Sequence, residues 1–433
     1  MTFLKQNPAA GQGEWVILAG IRSHDLAGRD DTFVLSPDES MQELSRLVET
    51  LGYKPCAVVF QERPAPDPAT YLGKGKVQEI ASLASLKGAS LLVIDGQLSP
   101  SQSRNLEDAT GISVMDRTEV ILKIFAARAR TREGKLQVEL AAQKHALTRL
   151  AGRGKNMSNP GGGIGTRGPG EQKIDVDRRV IRQRIASLSR EIQKVAKVRS
   201  EQKKKRRESK IPLVSLVGYT NAGKSTLFKA LTGEEVLCDD KLFATLDPWT
   251  RRWVLPSGQV VLLTDTVGFI QGLPHELVAA FHATLEESLD AELLIHVVDL
   301  SSPTWMAETL TVERVLADLG AGQRPRITCF NKVDKVLDVD LEALVKRYQP
   351  AVAISALKGT GLDDLSRMVG EHILSGSETV SWEIPYSKWD VLYEIRRTGA
   401  VLEEKHGPYG ATVKCRLPSE HAERFRQKLF GVQ

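Results

Sequence analysis

The chain has 433 residues, of which 41% are hydrophobic and 26% charged, and a formal net charge of +5. That is material for two or three domains with separate cores. No apolar run approaches the roughly 18–20 residues of a membrane span, residues 1–10 lack a signal-peptide core, and Cys56, Cys238, Cys329 and Cys415 show no CxxC pairing, so a spanning protein and a disulfide framework are excluded and a cytoplasmic chain with reduced thiols is expected.

Residues 14–116 alternate strand and helix signals. Runs at 14–21, 55–60, 91–94 and 112–115 read as strands, with helical stretches at 40–51, 77–86 and 100–108. This alternation predicts a small parallel α/β N-terminal domain over 1–116. Gly73-Lys74-Gly75-Lys76 can bind a phosphate or simply open a helix; it lacks the Walker spacing. Asp95, at a strand end, suits either a ligand or a cap.

Residues 118–150 are helix-compatible, with Leu136, Leu140, Leu147 and Leu150 on one stripe. From 174 to 198, Ile174, Ile181, Ile185, Leu188, Ile192 and Val195 repeat as in a coiled-coil seam. Between them lies the run Pro160-Gly161-Gly162-Gly163-Ile164-Gly165-Thr166-Arg167-Gly168-Pro169-Gly170. The simplest architecture over 117–210 is an antiparallel helical hairpin with a glycine-rich tip. Residues 123–210 hold 25 Lys and Arg against 8 Asp and Glu, a net charge of +17, so the rest of the chain sums to −12. Helices that are merely solvated usually mix the two signs, so a polyanion is the expected partner. Lys144, Arg149, Arg153, Lys155 and Arg167 accompany a stretch, 140–170, without a single acid. Such a tip fits the recesses and stacked bases of RNA. The run Lys203-Lys204-Lys205-Arg206-Arg207 is either a phosphate contact or a solvated linker.

Residues 211–376 carry the motifs of a P-loop GTPase domain. Gly218-Tyr219-Thr220-Asn221-Ala222-Gly223-Lys224-Ser225 follows a strand-like run and precedes a helix that begins Ser225-Thr226. Backbone N–H groups and the helix dipole make such a turn an anion site. Lys224 is expected on the β- and γ-phosphates, and the Ser225 hydroxyl on Mg2+. Thr245, in Phe243-Ala244-Thr245-Leu246-Asp247-Pro248, is expected to complete the Mg2+ shell and sense the γ-phosphate. Asp265-Thr266-Val267-Gly268 ends a strand: Asp265 would hold a metal-bound water, and Gly268 would bring its N–H to the γ-phosphate. Asn331-Lys332-Val333-Asp334 selects the base, because the Asp334 carboxylate can accept two guanine N–H groups for which adenine has no counterpart. Leaving a buried carboxylate unpaired costs on the order of 1–3 kcal/mol or more. Ser355-Ala356-Leu357 would close over the guanine. Five motifs in this order, each at a strand end, specify a GTP hydrolase. Residues 377–433, with Ile384-Pro385-Tyr386, a helix at 389–398 and a strand at 411–417, read as a small α+β C-terminal domain.

Two residues near these motifs bear on rate. Phe269 stands where Ras-like enzymes carry a glutamine that orients the attacking water, so intrinsic hydrolysis should be slow. Asn221 either places an amide oxygen toward a K+ between the phosphates, supplying charge in place of an arginine finger, or bonds the loop's own backbone.

The chain resembles the HflX-type ribosome-associated GTPases, a translation-factor-related class. The likeness rests on Tyr71-Leu72-Gly73-Lys74-Gly75-Lys76, Asp116-Arg117-Thr118-Glu119, the run from Arg128 to Leu140, the glycine-rich stretch through Glu171, and the G-domain motifs. Gln172-Lys173-Ile174-Asp175 and Trp249 depart from the usual pattern, at positions outside the nucleotide motifs. The chain is expected to be a monomer, and the resemblance implies that it binds the large ribosomal subunit and its rRNA, with the hairpin loop toward the peptidyl-transferase region, and that it splits stalled or idle ribosomes under stress. It also implies ATP hydrolysis by the N-terminal domain, which the residues there do not themselves indicate. A ribosome-assembly or RNA-modification GTPase is the alternative within the same class. A signalling switch that docks an acidic protein is the alternative outside it.

Overall fold

The structure is a computed structural model that describes residues 13–23, 35–151, 169–208, 211–233, 243, 249–272, 290–375 and 377–431. The N-terminal sheet contains β1 (Trp15–Arg22), β2 (Lys54–Glu62), β3 (Leu91–Ile94) and β4 (Ser113–Asp116), all parallel, in the order β2-β1-β3-β4. Every residue of β3 is buried, as a central parallel strand covered on both faces requires. Helices α1 (Pro37–Thr50), α2 (Lys74–Lys87) and α3 (Pro100–Thr110) provide the crossovers. Their starts are written in the sequence: Ser36 with Glu39, and Ser99 with Gln102, form reciprocal capping boxes followed by proline. Val77, Ile80 and Leu106 of the helices pack with Ile17, Ala19, Leu92 and Ile94 of the strands.

The single helix expected over 118–150 is two helices, α4 (Arg117–Arg128) and α5 (Arg132–Ala151). Ala129 turns extended, at φ −61° and ψ 113°, and Thr131 restarts the helix by accepting the Gly134 N–H on its hydroxyl at 3.0 Å. α4 belongs to the packed layers: Asp116 and Glu119 form its capping box, and Val120, Ile121, Ile124 and Phe125 are buried. The buried Arg117 pairs with Glu43 and, at 2.8 Å, with Asp95. Asp95 therefore serves an internal ion pair rather than a cap. Gly73 opens α2, its N–H donated to Gln61 Oε1 at 2.7 Å, which is the helix-entry reading of that glycine-lysine run.

α5 and the long α6 (Pro169–Glu208) form the hairpin. Leu188 is fully buried against Leu136 and Leu140, with Ile185, Ile192 and Val195 alongside. Arg178 bonds the Leu150 carbonyl and Arg184 bonds Glu139, so residue numbers rise on one helix as they fall on the other. The hairpin is antiparallel. Its glycine-rich tip, with Arg153, Lys155 and Arg167, lies outside the described residues. Arg149, expected as part of the basic tip, is instead engaged by Glu119 and Ser103.

The GTPase sheet has the order β10-β9-β8-β5-β7-β6, parallel except for β6. Its strands are β5 (Leu213–Gly218), β6 (Trp249–Val254), β7 (Val260–Asp265), β8 (Leu293–Asp299), β9 (Arg326–Asn331) and β10 (Ala351–Ala353). The described helices are α7 (Lys224–Thr232), α8 (Trp305–Asp318), α9 (Leu341–Arg347) and α10 (Leu362–Ile373). One core joins Phe228 of α7, Ile295 of β8 and Leu365 and Val369 of α10. The C-terminal sheet is antiparallel, β11 (Ser377–Pro385), β13 (Gly410–Pro418) and β12 (Ala400–His406) in that spatial order. Alternation along β11 buries Val380, Trp382 and Ile384 against α11 (Trp389–Thr398) and α12 (Ser419–Phe430). The architecture is thus the expected one: parallel N-terminal sheet, helical hairpin, P-loop GTPase domain and small α+β appendage.

Candidate guanine-nucleotide site

Gly218, Asp265, Asp299 and Asn331 end β5, β7, β8 and β9 at the carboxyl edge of one sheet, the place where open α/β sheets bind ligands. β5 lies between β7 and β8, so its loop is flanked by both. At Gly223 (φ +94°) a Cβ would stand 2.2 Å from Asn331 Nδ2. At Gly268 it would meet Thr220 Cα at 2.8 Å and Lys224 Nζ at 3.0 Å. Glycine is therefore required by close approach at both positions. Asn221, exposed, also adopts positive φ, +60°, which asparagine tolerates better than most residues.

Lys224 is buried, with Nζ donating to the Gly218 carbonyl at 3.1 Å and the Tyr219 carbonyl at 2.7 Å. Burial pushes its ammonium down to about 8, with Asp265 opposing that shift and Lys332 adding to it. Such an ammonium is a poised partner for phosphate. Ser225 Oγ donates to Asp265 Oδ2 at 2.8 Å. A hydroxyl and a buried carboxylate side by side are hard oxygen donors of the kind Mg2+ takes together with water and phosphate oxygens, so the two residues fit that ion. Thr266 turns its hydroxyl to the Leu216 carbonyl at 2.6 Å and fixes β5 against its neighbour. Val267 and Ala222 are buried, and Thr226 is half-buried on α7. Phe269 is 2% exposed; its N–H donates to Gly218 O and its carbonyl accepts from Thr220 N. The ring is core, and only its backbone borders the loop.

Asn331 clamps the loops together. Its Nδ2 donates to the Ala222 carbonyl at 2.9 Å, and its Oδ1 accepts the Ala356 N–H at 3.0 Å. Lys332, at φ +63°, donates to the Asn221 carbonyl at 2.8 Å and to Asp299 at 2.7 Å. Asp334 accepts from Ser355 Oγ at 2.6 Å, and this bond holds its carboxyl below the usual range. The acid is kept charged, as an acceptor of two guanine N–H groups must be. Leu357 is exposed beside it.

Ala244 and Thr245 lie outside the described residues. Phe243 is described: it is 2% exposed at φ +59°, and its ring centroid is 4.5 Å from that of Phe125 in α4. Sequence reasoning missed Asp299 and Glu308. The Glu308 carboxylate accepts from Ser302 and Thr304 hydroxyls at 2.7 and 2.8 Å, and burial raises its pKa. It also missed His296, sealed within β8 and pushed by burial to about 3, so that it is neutral at physiological pH. A strand reading of 293–299 would have placed Asp299 at the site's edge and His296 inside the sheet.

Among the described residues, no helix is long and apolar enough to cross a membrane. Three family models match in succession: GTP-binding GTPase N-terminal over residues 38–126, GTP-binding GTPase Middle Region over 128–206, and 50S ribosome-binding GTPase over 213–332. A GTPase HflX of Caldanaerobacter subterraneus is 45% identical over 394 residues, covering 91% of each chain. The GTPase HflX of Escherichia coli is 42% identical, covering 77% of this chain and 79% of its own. A solved GTP-binding protein from Sulfolobus solfataricus, in complex with GDP, is 26% identical with a TM-score of 0.42, covering 82% of this chain and 98% of its own. With nine-tenths of its length matched at 45% identity, the chain belongs to the HflX GTPase family, and its reaction is the hydrolysis of GTP.

Proposed function

We propose that this GTPase binds the large ribosomal subunit through its rRNA and uses GTP to promote dissociation of ribosomes for recycling, in the cytoplasm and under stress. The observation that carries this reading is the hairpin. Arg179, Arg182, Arg184, Arg190, Lys194 and Lys197 are exposed along α6, within a segment of net charge +17 in a chain that is otherwise acidic. Cations on a stalk with a glycine-rich, acid-free end suit a folded RNA surface. The match to a model described as 50S ribosome-binding GTPase, and the HflX relatives, agree with it.

Within this reading Lys224 holds the β- and γ-phosphates, Thr245 and Gly268 sense the γ-phosphate, and Asp334 with Ser355 and Ala356 reads the guanine. Ser225 and Thr245 would ligate Mg2+, which supplies charge neutralisation between the β- and γ-phosphates. Asp265 would orient water in that shell. The test is a sucrose-gradient profile of whole ribosomes incubated with the protein and GTP or a non-hydrolysable analogue. Whole ribosomes should separate into subunits. Deleting residues 160–168, or replacing Arg153 and Arg167 with Ala, should weaken the separation and flatten its salt dependence while GTP binding persists. An unchanged profile from the deletion variant would refute the hairpin's role.

A further inference from the structure

Asp299 ends β8, and Lys332 directly follows the last residue of the adjacent β9: Asp299 pairs in register with Asn331, the residue before the lysine. The Leu300 N–H donates to the Asn331 carbonyl at 3.0 Å, locking the two strand ends together. From this anchor the Lys332 ammonium spans two loops, with Asp299 Oδ2 at 2.7 Å on one side and the Asn221 carbonyl of the phosphate loop at 2.8 Å on the other. Both side chains are largely buried, 18% exposed for Lys332 and 14% for Asp299. The carboxylate is itself oriented, because Oδ1 accepts the Ser301 N–H at 3.0 Å and the Ser301 hydroxyl at 2.6 Å. Glu308, the other carboxylate nearby, accepts two hydroxyls and feels the charge of Lys332, but it is Asp299 that accepts the lysine's hydrogen bond.

We propose that Asp299 is a positioning residue for nucleotide binding: through Lys332 it sets the spacing between the guanine loop and the phosphate loop. The proposal rests on assigning this edge of the sheet to guanine nucleotide. Asp299 touches neither base nor phosphate in this role. It fixes one of the ammonium's donors, so that the lysine reaches the Asn221 carbonyl from a single direction and its aliphatic stem stays beside Asn331. Without the carboxylate the ammonium is left partly buried with one partner fewer, and the two loops lose a shared strut. The effect belongs to the bound ground state of GTP and GDP alike. It should therefore appear in affinity and not in turnover at saturation.

The experiment titrates a fluorescent N-methylanthraniloyl GDP, and the corresponding non-hydrolysable GTP analogue, into wild type, D299N, K332Q and the double variant D299N/K332Q. D299N should raise both Kd values about tenfold, the scale of one hydrogen bond to a charged group, with kcat at saturating GTP within about twofold of wild type. In the K332Q background, D299N should change Kd by less than about twofold, since the shared interaction is already gone. A merely structural Asp299, capping the loop through Ser301, would lower stability in both backgrounds and leave the coupling at zero. The proposal is overturned if D299N binds within twofold of wild type, or if its loss persists undiminished in K332Q. If D299N does not fold, Ser301→Ala loosens the same carboxylate: a threefold weaker Kd is expected, and an unchanged Kd overturns the proposal. Absence of GDP binding by the wild type would instead refute the site assignment.

Discussion

Lys224, buried on the carbonyls of Gly218 and Tyr219, has an ammonium depressed to about 8 by burial, and phosphate is the counter-charge that would restore it. Between that value and the ordinary one of 10.5 the unfolded chain carries the extra proton, so the nucleotide-free fold gains stability as pH rises through that window. Nucleotide binding should reverse this locally. Calorimetry of GDP binding in two buffers of different ionisation enthalpy should show uptake of close to one proton at pH ~9 and none at pH ~7. Equal heats in both buffers at the higher pH would contradict it. Phe269 yields a second prediction, because its buried ring leaves no side chain to orient water where Ras-like enzymes have glutamine. GTP hydrolysis should be slow alone and strongly stimulated by large subunits. If Asn221 helps hold K+, the stimulated rate should fall in NaCl at matched ionic strength, and Asn221→Ala should remove that difference. Equal rates in both salts would make Asn221 a loop residue only. At this scale, legibility followed backbone demand. Gly223 and Gly268 stand in motifs because no Cβ fits there, so they can be read directly. Asp299 cannot, since its partner is distant in sequence and only the β8–β9 register brings the two together.

α5 is held at both ends, by Leu136 and Leu140 on Leu188 and by Arg149 on Glu119 of α4. Leu188 is fully buried, so Leu188→Ala should cost about 2–5 kcal/mol of hairpin packing. Arg149→Ala leaves the buried Glu119 without its charge partner, a loss on the order of 3 kcal/mol. Hydrogen exchange should quicken in α5 and α6 for either variant while β5, β8 and β9 stay protected. Uniform loss across the chain would mean that the hairpin is not a separate cooperative element. The seam in α6 was legible because its leucine and isoleucine spacing is periodic over several turns. The break between α4 and α5 was not: no proline or glycine marks residues 129–131, and the stop comes from Ala129 turning extended and Thr131 capping. β6, β8 and β12 were also not expected. β6 and β12 are edge strands rich in Arg or Glu and Lys, so their alternation is weak, and β8 has a histidine in the middle of its apolar run.

Across the molecule, the four-part order was readable because each part has its own signature: strand-helix alternation, a coiled-coil seam with charge, phosphate and guanine motifs, and a short α+β tail. The order of the GTPase strands was not readable, and it has a consequence in time. The phosphate loop leaves β5 at the middle of a sheet whose far edge, β10, is the last to be made. The Asn331 amide oxygen and the Asp334 carboxylate receive the Ala356 N–H and the Ser355 hydroxyl, both from the segment after β10. During synthesis the chain therefore carries its phosphate loop, at roughly 5–20 residues per second, for on the order of ten seconds before the guanine loops can close. A chain ending at residue 350 should accordingly retain no guanine nucleotide on gel filtration, while one ending at 376, without the C-terminal sheet, should retain it. Nucleotide then becomes a reporter of passage through this segment: a nascent copy of this GTPase stays unswitched until Ser355 and Ala356 have been made.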